Sequence, residues 1–137
     1  MFRHSRILVG PGGVVAVETK TRRKRRSADG RDDYRVIFDG DQLHFPHGAD
    51  RHGLEQASRN AAWLSRLLSE ATAQKTDVQA MLTLPGWFVE RRGKGDVSVV
   101  SPKEIRGVVT GKSVLISKAQ LQRLSSVLDQ RCRDLEF

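Results

Sequence analysis

Short apolar runs separated by turn residues dominate the first part of the chain. Arg6 to Val9 is a β-branched and aliphatic run, Gly10-Pro11-Gly12-Gly13 is a turn by composition, and Val14 to Lys20 is a second run. Two such runs across a Gly-rich turn predict a β-hairpin. In the second strand the period of two puts Val15, Val17 and Thr19 on one face and Ala16, Glu18 and Lys20 on the other. Val14 to Val17 is apolar on both faces, which predicts a central strand. Tyr34 to Phe38 and Gln42 to Phe45 read as two more strands, joined by Asp39-Gly40-Asp41, a hairpin signal. Pro46 to Gly53 reads as a loop.

The period then changes to that of a helix, from Leu54 to Ala73. Leu54, Ala57, Ala61, Leu64, Leu68 and Ala71 form one stripe, and Trp63 falls near it and is expected in the core. Gln56 and Asn60 lie one turn apart on a neighbouring stripe. Val78 to Leu84 reads as a buried strand ended by Pro85-Gly86, Trp87 to Glu90 as an extension of the sheet, and Val97 to Val100 as another strand. Ser101-Pro102-Lys103-Glu104 is a helix start, with Ser as cap, Pro first and Glu three after the cap, and predicts a short helix to Val109. Ser117 caps a final helix that turns Leu121, Leu124, Val127 and Leu128 to the core. One long helix on a mixed sheet makes the class α/β or α+β.

Charge adds a partner class. Lys and Arg outnumber Asp and Glu by 24 to 16, a net charge of +8, which favours polyanions such as nucleic acid or an anionic surface. The longest apolar run, Val14 to Val17, is too short to span a bilayer, and the N-terminus lacks the apolar core of a signal peptide. The single cysteine, Cys132, allows neither an internal disulfide nor a thiolate zinc site, and reads as a small core residue in a reducing compartment, the cytoplasm or the nucleoid. Arg22, Arg23, Lys24, Arg25 and Arg26 form a basic run suited to a DNA backbone, and Arg91, Arg92 and Lys94 are candidates to extend that surface. His44, His47 and His52 match no metal-site spacing and read as loop histidines. Trp87 is open between base stacking and core packing.

Glu18 and Lys20 are the sharpest chemical pair. They stand two apart on a strand and so point the same way. A carboxylate there can hold a hard divalent cation, and the ammonium can orient a water, which suits metal-assisted phosphodiester hydrolysis. The alternative reading is a surface ion pair.

The stretch Ile7 to Thr21, with Gly10-Pro11-Gly12-Gly13 and Val17-Glu18-Thr19-Lys20, resembles the core of the NERD family, the nuclease-related domain. Leu54-Glu55-Gln56-Ala57, at the start of the long helix, matches a later element of that family, so the resemblance runs from Ile7 to Val109. It implies a restriction-endonuclease-like α/β fold of the PD-(D/E)xK type: a mixed sheet with a long packing helix. Residues 1–110 would form that domain, and residues 111–137 a C-terminal helix packing on it or extending it. By the same resemblance Glu18 and the Thr19 carbonyl would hold Mg2+ or Mn2+, Lys20 would position the attacking water, and Gln56 would steer Lys20 or the substrate phosphate. The partner implied is DNA.

The chain departs from the family at Ser5, where an Asp is expected, followed by Arg6 at the place of a His. Serine is a poor ligand for Mg2+. The helix that opens such folds is also missing from this sequence. Three explanations stay open: a shortened chain, another acid such as Asp32, Asp33 or Asp39 reaching the site, or a domain that binds DNA without cutting it. A homodimer or a partner supplying the missing elements belongs to the same set.

Overall fold

The structure, a computed structural model, describes residues 3–21, 34–105, 107 and 116–134, with side chains from residue 6 to residue 130 among them. Eight strands and two helices are described: β1 (Arg3–Gly10), β2 (Gly13–Lys20), β3 (Arg35–Phe38), β4 (Leu43–Phe45), β5 (Gly48–Asp50), α1 (His52–Thr72), β6 (Val78–Thr83), β7 (Phe88–Arg91), β8 (Val97–Val100) and α2 (Lys118–Asp134).

The first hairpin forms as its pattern predicts. β1 and β2 pair antiparallel from Arg3–Lys20 to Gly10–Gly13 around Pro11-Gly12. Gly13 takes φ +129°, which a side chain would strain. β2 is central: β6 joins it in parallel on its other edge, and β8 joins β6 in parallel, giving the order β1-β2-β6-β8. That placement follows from Val14, Val15, Ala16 and Val17 all being buried, since a strand apolar on both faces must be covered on both.

The remaining strands do not extend this sheet. β3, β4, β5 and β7 form a second mixed sheet in the order β5-β4-β3-β7. The segment expected to extend the first sheet, Trp87 to Glu90, contributes β7, which pairs in parallel with β3 instead. The expected loop from Pro46 to Gly53 contains β5, paired antiparallel with β4. Its Gly-Ala-Asp sequence has no apolar alternation, so its backbone pairing left no pattern to read.

Both sheets and both helices share one core. Val14, Ala16, Ala80 and Leu82 from the first sheet meet Val36, Phe38, Leu43 and Phe45 from the second and Leu54, Ala57, Ala61, Leu64 and Leu68 from α1. Leu124 of α2 joins them, with Leu121, Val127 and Leu128 packed partly buried beside it. The other face of the first sheet buries Val15, Val17, Met81 and Val100. Ala71 closes the expected stripe but is exposed in the last turn of α1. Trp63 departs further: it lies in solvent, not in the core.

Helix starts follow local chemistry. The sequence pattern places the start of α1 at Leu54, but the helix begins two residues earlier, at His52, with Arg51 at the cap position and no side-chain cap bond; just ahead of it the Asp50 carboxylate accepts the His52 N–H at 2.7 Å. α2 starts as expected, with the Gln120 N–H donating to the Ser117 hydroxyl at 3.2 Å. At Ser101, the Glu104 N–H donates to the Ser101 carbonyl at 3.0 Å, and the Ser101 N–H donates to the Glu104 carboxylate at 3.2 Å. The expected end of that helix, Val109, lies outside the described residues, as does the side chain of Cys132.

Glu104 also ties this turn to β7. Its carboxyl is held below the usual value of 4.5, chiefly by hydrogen bonds from Arg91, with burial opposing and the Ser101 N–H assisting. A lowered carboxyl contributes stability above its unfolded value and loses it as the pH falls through the folded one. Glu104→Gln is therefore expected to cost less than about 1 kcal/mol at neutral pH, because the pair is half exposed. A series of urea midpoints should show that cost shrinking as the pH drops below 4.5.

Candidate functional site

The C-terminal end of β2 carries both residues of the Glu18-Thr19-Lys20 motif to the face covered by α1. The alternation that buries Val14 and Ala16 against the helix continues to Glu18 and Lys20. Glu18 is only 4% exposed and Lys20 only 8%. This excludes the surface ion-pair reading of the motif.

Each buried charge has a partner. The Lys20 ammonium pairs with the Asp50 carboxylate, brought by β5 and the first turn of α1. The Asn60 amide donates to Glu18 Oε1 from the third turn of α1. Gln56 Nε2 in turn donates to Asn60 Oδ1 at 3.2 Å, and Arg59 Nη2 donates to Gln56 Oε1 at 3.4 Å. The helix thus presents a row of amides to the strand. A row of this kind holds a carboxylate in one rotamer and satisfies it where water is scarce.

Gly53 opens room for Lys20. A Cβ at position 53 would lie 3.1 Å from Lys20 Cδ and 3.4 Å from its Nζ. Any side chain there would press on the ammonium that Asp50 holds. Thr19, between the two buried charges, pairs with His4 on one side and with Thr83 on the other. Ser5 stands directly opposite Glu18 in the β1–β2 register.

Gln56 reaches neither Glu18 nor Lys20 by a hydrogen bond of its own; it acts on Asn60. Asp39 is engaged within the β3–β4 turn rather than at this site. His44 Nε2 lies 2.6 Å from its carboxylate, and the N–H groups of Asp41 and Gln42 donate to it at 2.8 and 2.7 Å. These contacts, the His44 hydrogen bond first, hold Asp39 well below the usual carboxylate range. Asp32, Asp33 and the run from Arg22 to Arg26 lie outside the described residues.

The second basic cluster is engaged within the fold. Arg91 Nη1 donates to the Val99 carbonyl at 2.9 Å and to Glu104 at 3.1 Å. Arg92 Nη2 donates to Glu90 at 3.2 Å, while Lys94 is exposed. Trp87 is 7% exposed and packs edge-on against Phe45 with ring centres 5.0 Å apart, which decides it for the core. Phe45 also stacks on His47. His44 pairs with Asp39, and His52 opens α1.

Two residues of the site were not assigned a role from sequence. Asn60 carried a signal, its one-turn spacing from Gln56. Asp50 carried only a weak one, two positions ahead of a helix whose start was itself misplaced. Among the described residues there is no group of three or more His, Cys, Asp or Glu side chains placed to hold a metal ion. A small hard cation needs less than that. Mg2+ usually takes one or two carboxylates and keeps several waters. Glu18, Asp50 and the Thr19 carbonyl are hard oxygen donors of that kind. Among the described residues, no helix is long and apolar enough to cross a membrane. No family model matches this chain, and no curated protein or solved structure matches it.

Proposed function

We propose that this chain is a nuclease-like domain that hydrolyses DNA phosphodiester bonds with a divalent metal, in the cytoplasm, on a restriction-endonuclease-like fold. The observation that carries the reading is the buried Glu18–Lys20 pair under α1, with Asp50 as a second carboxylate beside Lys20. Glu and Lys two apart on a central strand are what the resemblance to the NERD family rests on. The strand order supports it too: a hairpin whose second strand bears the motif, then a helix, then a strand parallel to the second.

Glu18, Asp50 and the Thr19 carbonyl would hold Mg2+ or Mn2+. The bound ion would polarise the phosphoryl oxygen and lower the pKa of a water. Asn60, backed by Gln56, fixes the Glu18 carboxylate. Lys20 orients a water and offsets negative charge as that water adds to phosphorus and the ester P–O bond breaks. Asp50, by holding the ammonium, sets where Lys20 points. The excess of cations on the chain favours the approach of a polyanion.

A second reading is a domain of the same fold that binds DNA without cutting it. The Lys20–Asp50 pair favours it, because a carboxylate engaged by an ammonium is less free to bind metal.

Supercoiled plasmid incubated with the protein in Mg2+, Mn2+ or EDTA separates the two readings. Metal-dependent nicking is expected, and Glu18→Ala and Lys20→Ala should each reduce it by about 100-fold or more while leaving the circular dichroism spectrum folded. No nicking by the wild type, with salt-sensitive DNA binding that Glu18→Ala leaves intact, would favour the second reading.

A further inference from the structure

The helix that covers the candidate site has an outward face with its own chemistry. Trp63 is 54% exposed, although it is the largest apolar side chain on α1. Arg59 stands four residues before it and Arg66 three after, so both guanidinium groups share its stripe of the helix surface. The two arginines lie about 10 Å apart along the axis. Both are exposed, and among the described residues neither is paired with a carboxylate. Glu55 and Glu70 stand one turn beyond its two ends, and neither forms an ion pair with these arginines.

The stripe is linked to the site by hydrogen bonds. A helical side chain leans toward the N-terminus of its helix, so Trp63 lies on the side of the turn that holds Arg59 and Asn60. Asn60 bonds Glu18, and Arg59 bonds the Gln56 that bonds Asn60. An exposed indole between two cations that no carboxylate engages is an arrangement that suits a base and its phosphates. A base can present its face to an indole only when it is not stacked within a duplex.

The geometry points to a single-stranded DNA subsite on the outer face of α1, where Trp63 stacks on an unpaired base and Arg59 and Arg66 hold neighbouring phosphates. The inference rests on the DNA reading for its substrate class but needs neither metal nor cleavage.

The test is binding of a fluorescein-labelled oligothymidylate by the full chain in EDTA at low salt, beside a blunt duplex. Trp63→Ala is expected to weaken single-strand binding by about ten-fold or more, Trp63→Phe to recover part of it, and the duplex to be unaffected. Arg66→Gln should lower the slope of log K against log salt by about 0.7. Binding should also quench the intrinsic fluorescence of Trp63, which stands apart from that of the buried Trp87. If the wild type binds the oligonucleotide and Trp63→Ala binds it equally well, the subsite is refuted and the DNA reading stands. If the wild type binds neither DNA, both fall. If sedimentation shows a dimer that Trp63→Ala dissociates, the stripe is a contact between copies and the inference is overturned.

Discussion

Asp50→Asn is expected to destabilise the protein by about 3 kcal/mol, measured by urea unfolding, and to remove nicking activity. The substitution is chosen for what it preserves. An asparagine Oδ1 still accepts the His52 N–H, so the start of α1 is kept. What goes is the negative partner of Lys20, whose side chain is 9% exposed beside an Asp50 side chain at 17%. Removing one member of a buried pair costs about 3–5 kcal/mol, and the residual exposure of Asp50 sets the lower end. Lys20→Met in the same background should restore most of the loss, because it removes the buried ammonium that Asp50→Asn leaves without a counter-charge. A double variant as unstable as Asp50→Asn alone would show that the ion pair is not the source of the cost. Activity and stability then part in an informative way: the double variant folds well and does not cut.

Leu124→Ala is expected to cost about 2–5 kcal/mol, more than any surface change in α2. Leu124 is fully buried, in the core shared with Leu64 and Leu68 of α1. Truncation leaves a cavity that the surrounding strands and helices cannot close. The prediction bears on organisation as much as on packing. If α2 belongs to the same cooperative unit as the sheets, far-ultraviolet circular dichroism and fluorescence of the buried Trp87 will report one coincident transition, moved to lower urea. An unchanged midpoint for Trp87 would mean that residues 118–134 fold apart from the core.

The candidate site was half legible before any coordinates. Glu18 and Lys20 could be placed on one face of a central strand because a period of two is a property of the strand itself. Gln56 and Asn60 could be placed on one stripe of a helix for the same reason. That these two local patterns face each other required the β2–α1–β6 crossover. Which amide touches Glu18 required the packing of α1, and it is Asn60 rather than Gln56. Asp50 was scarcely legible as a site residue, because the Gly-Ala-Asp sequence of β5 carries no hydrophobic period to place it beside Lys20.

The sequence alone determined the hairpin, the central strand, the amphipathic helix and its core stripe, the capped start of α2, and the shared face of Glu18 and Lys20. These rest on spacing between near neighbours, which the chain carries wherever it goes. Tertiary structure decided the division into two sheets, the pairing of β7 with β3, the delivery of Asp50 to Lys20, and the exposure of Trp63. Backbone edges pair with whichever strand is brought to them, so a strand pattern does not name its neighbour. A side chain at the margin of an apolar stripe, as Trp63 is, goes inward or outward according to where the covering layer ends, and only the packed core sets that limit.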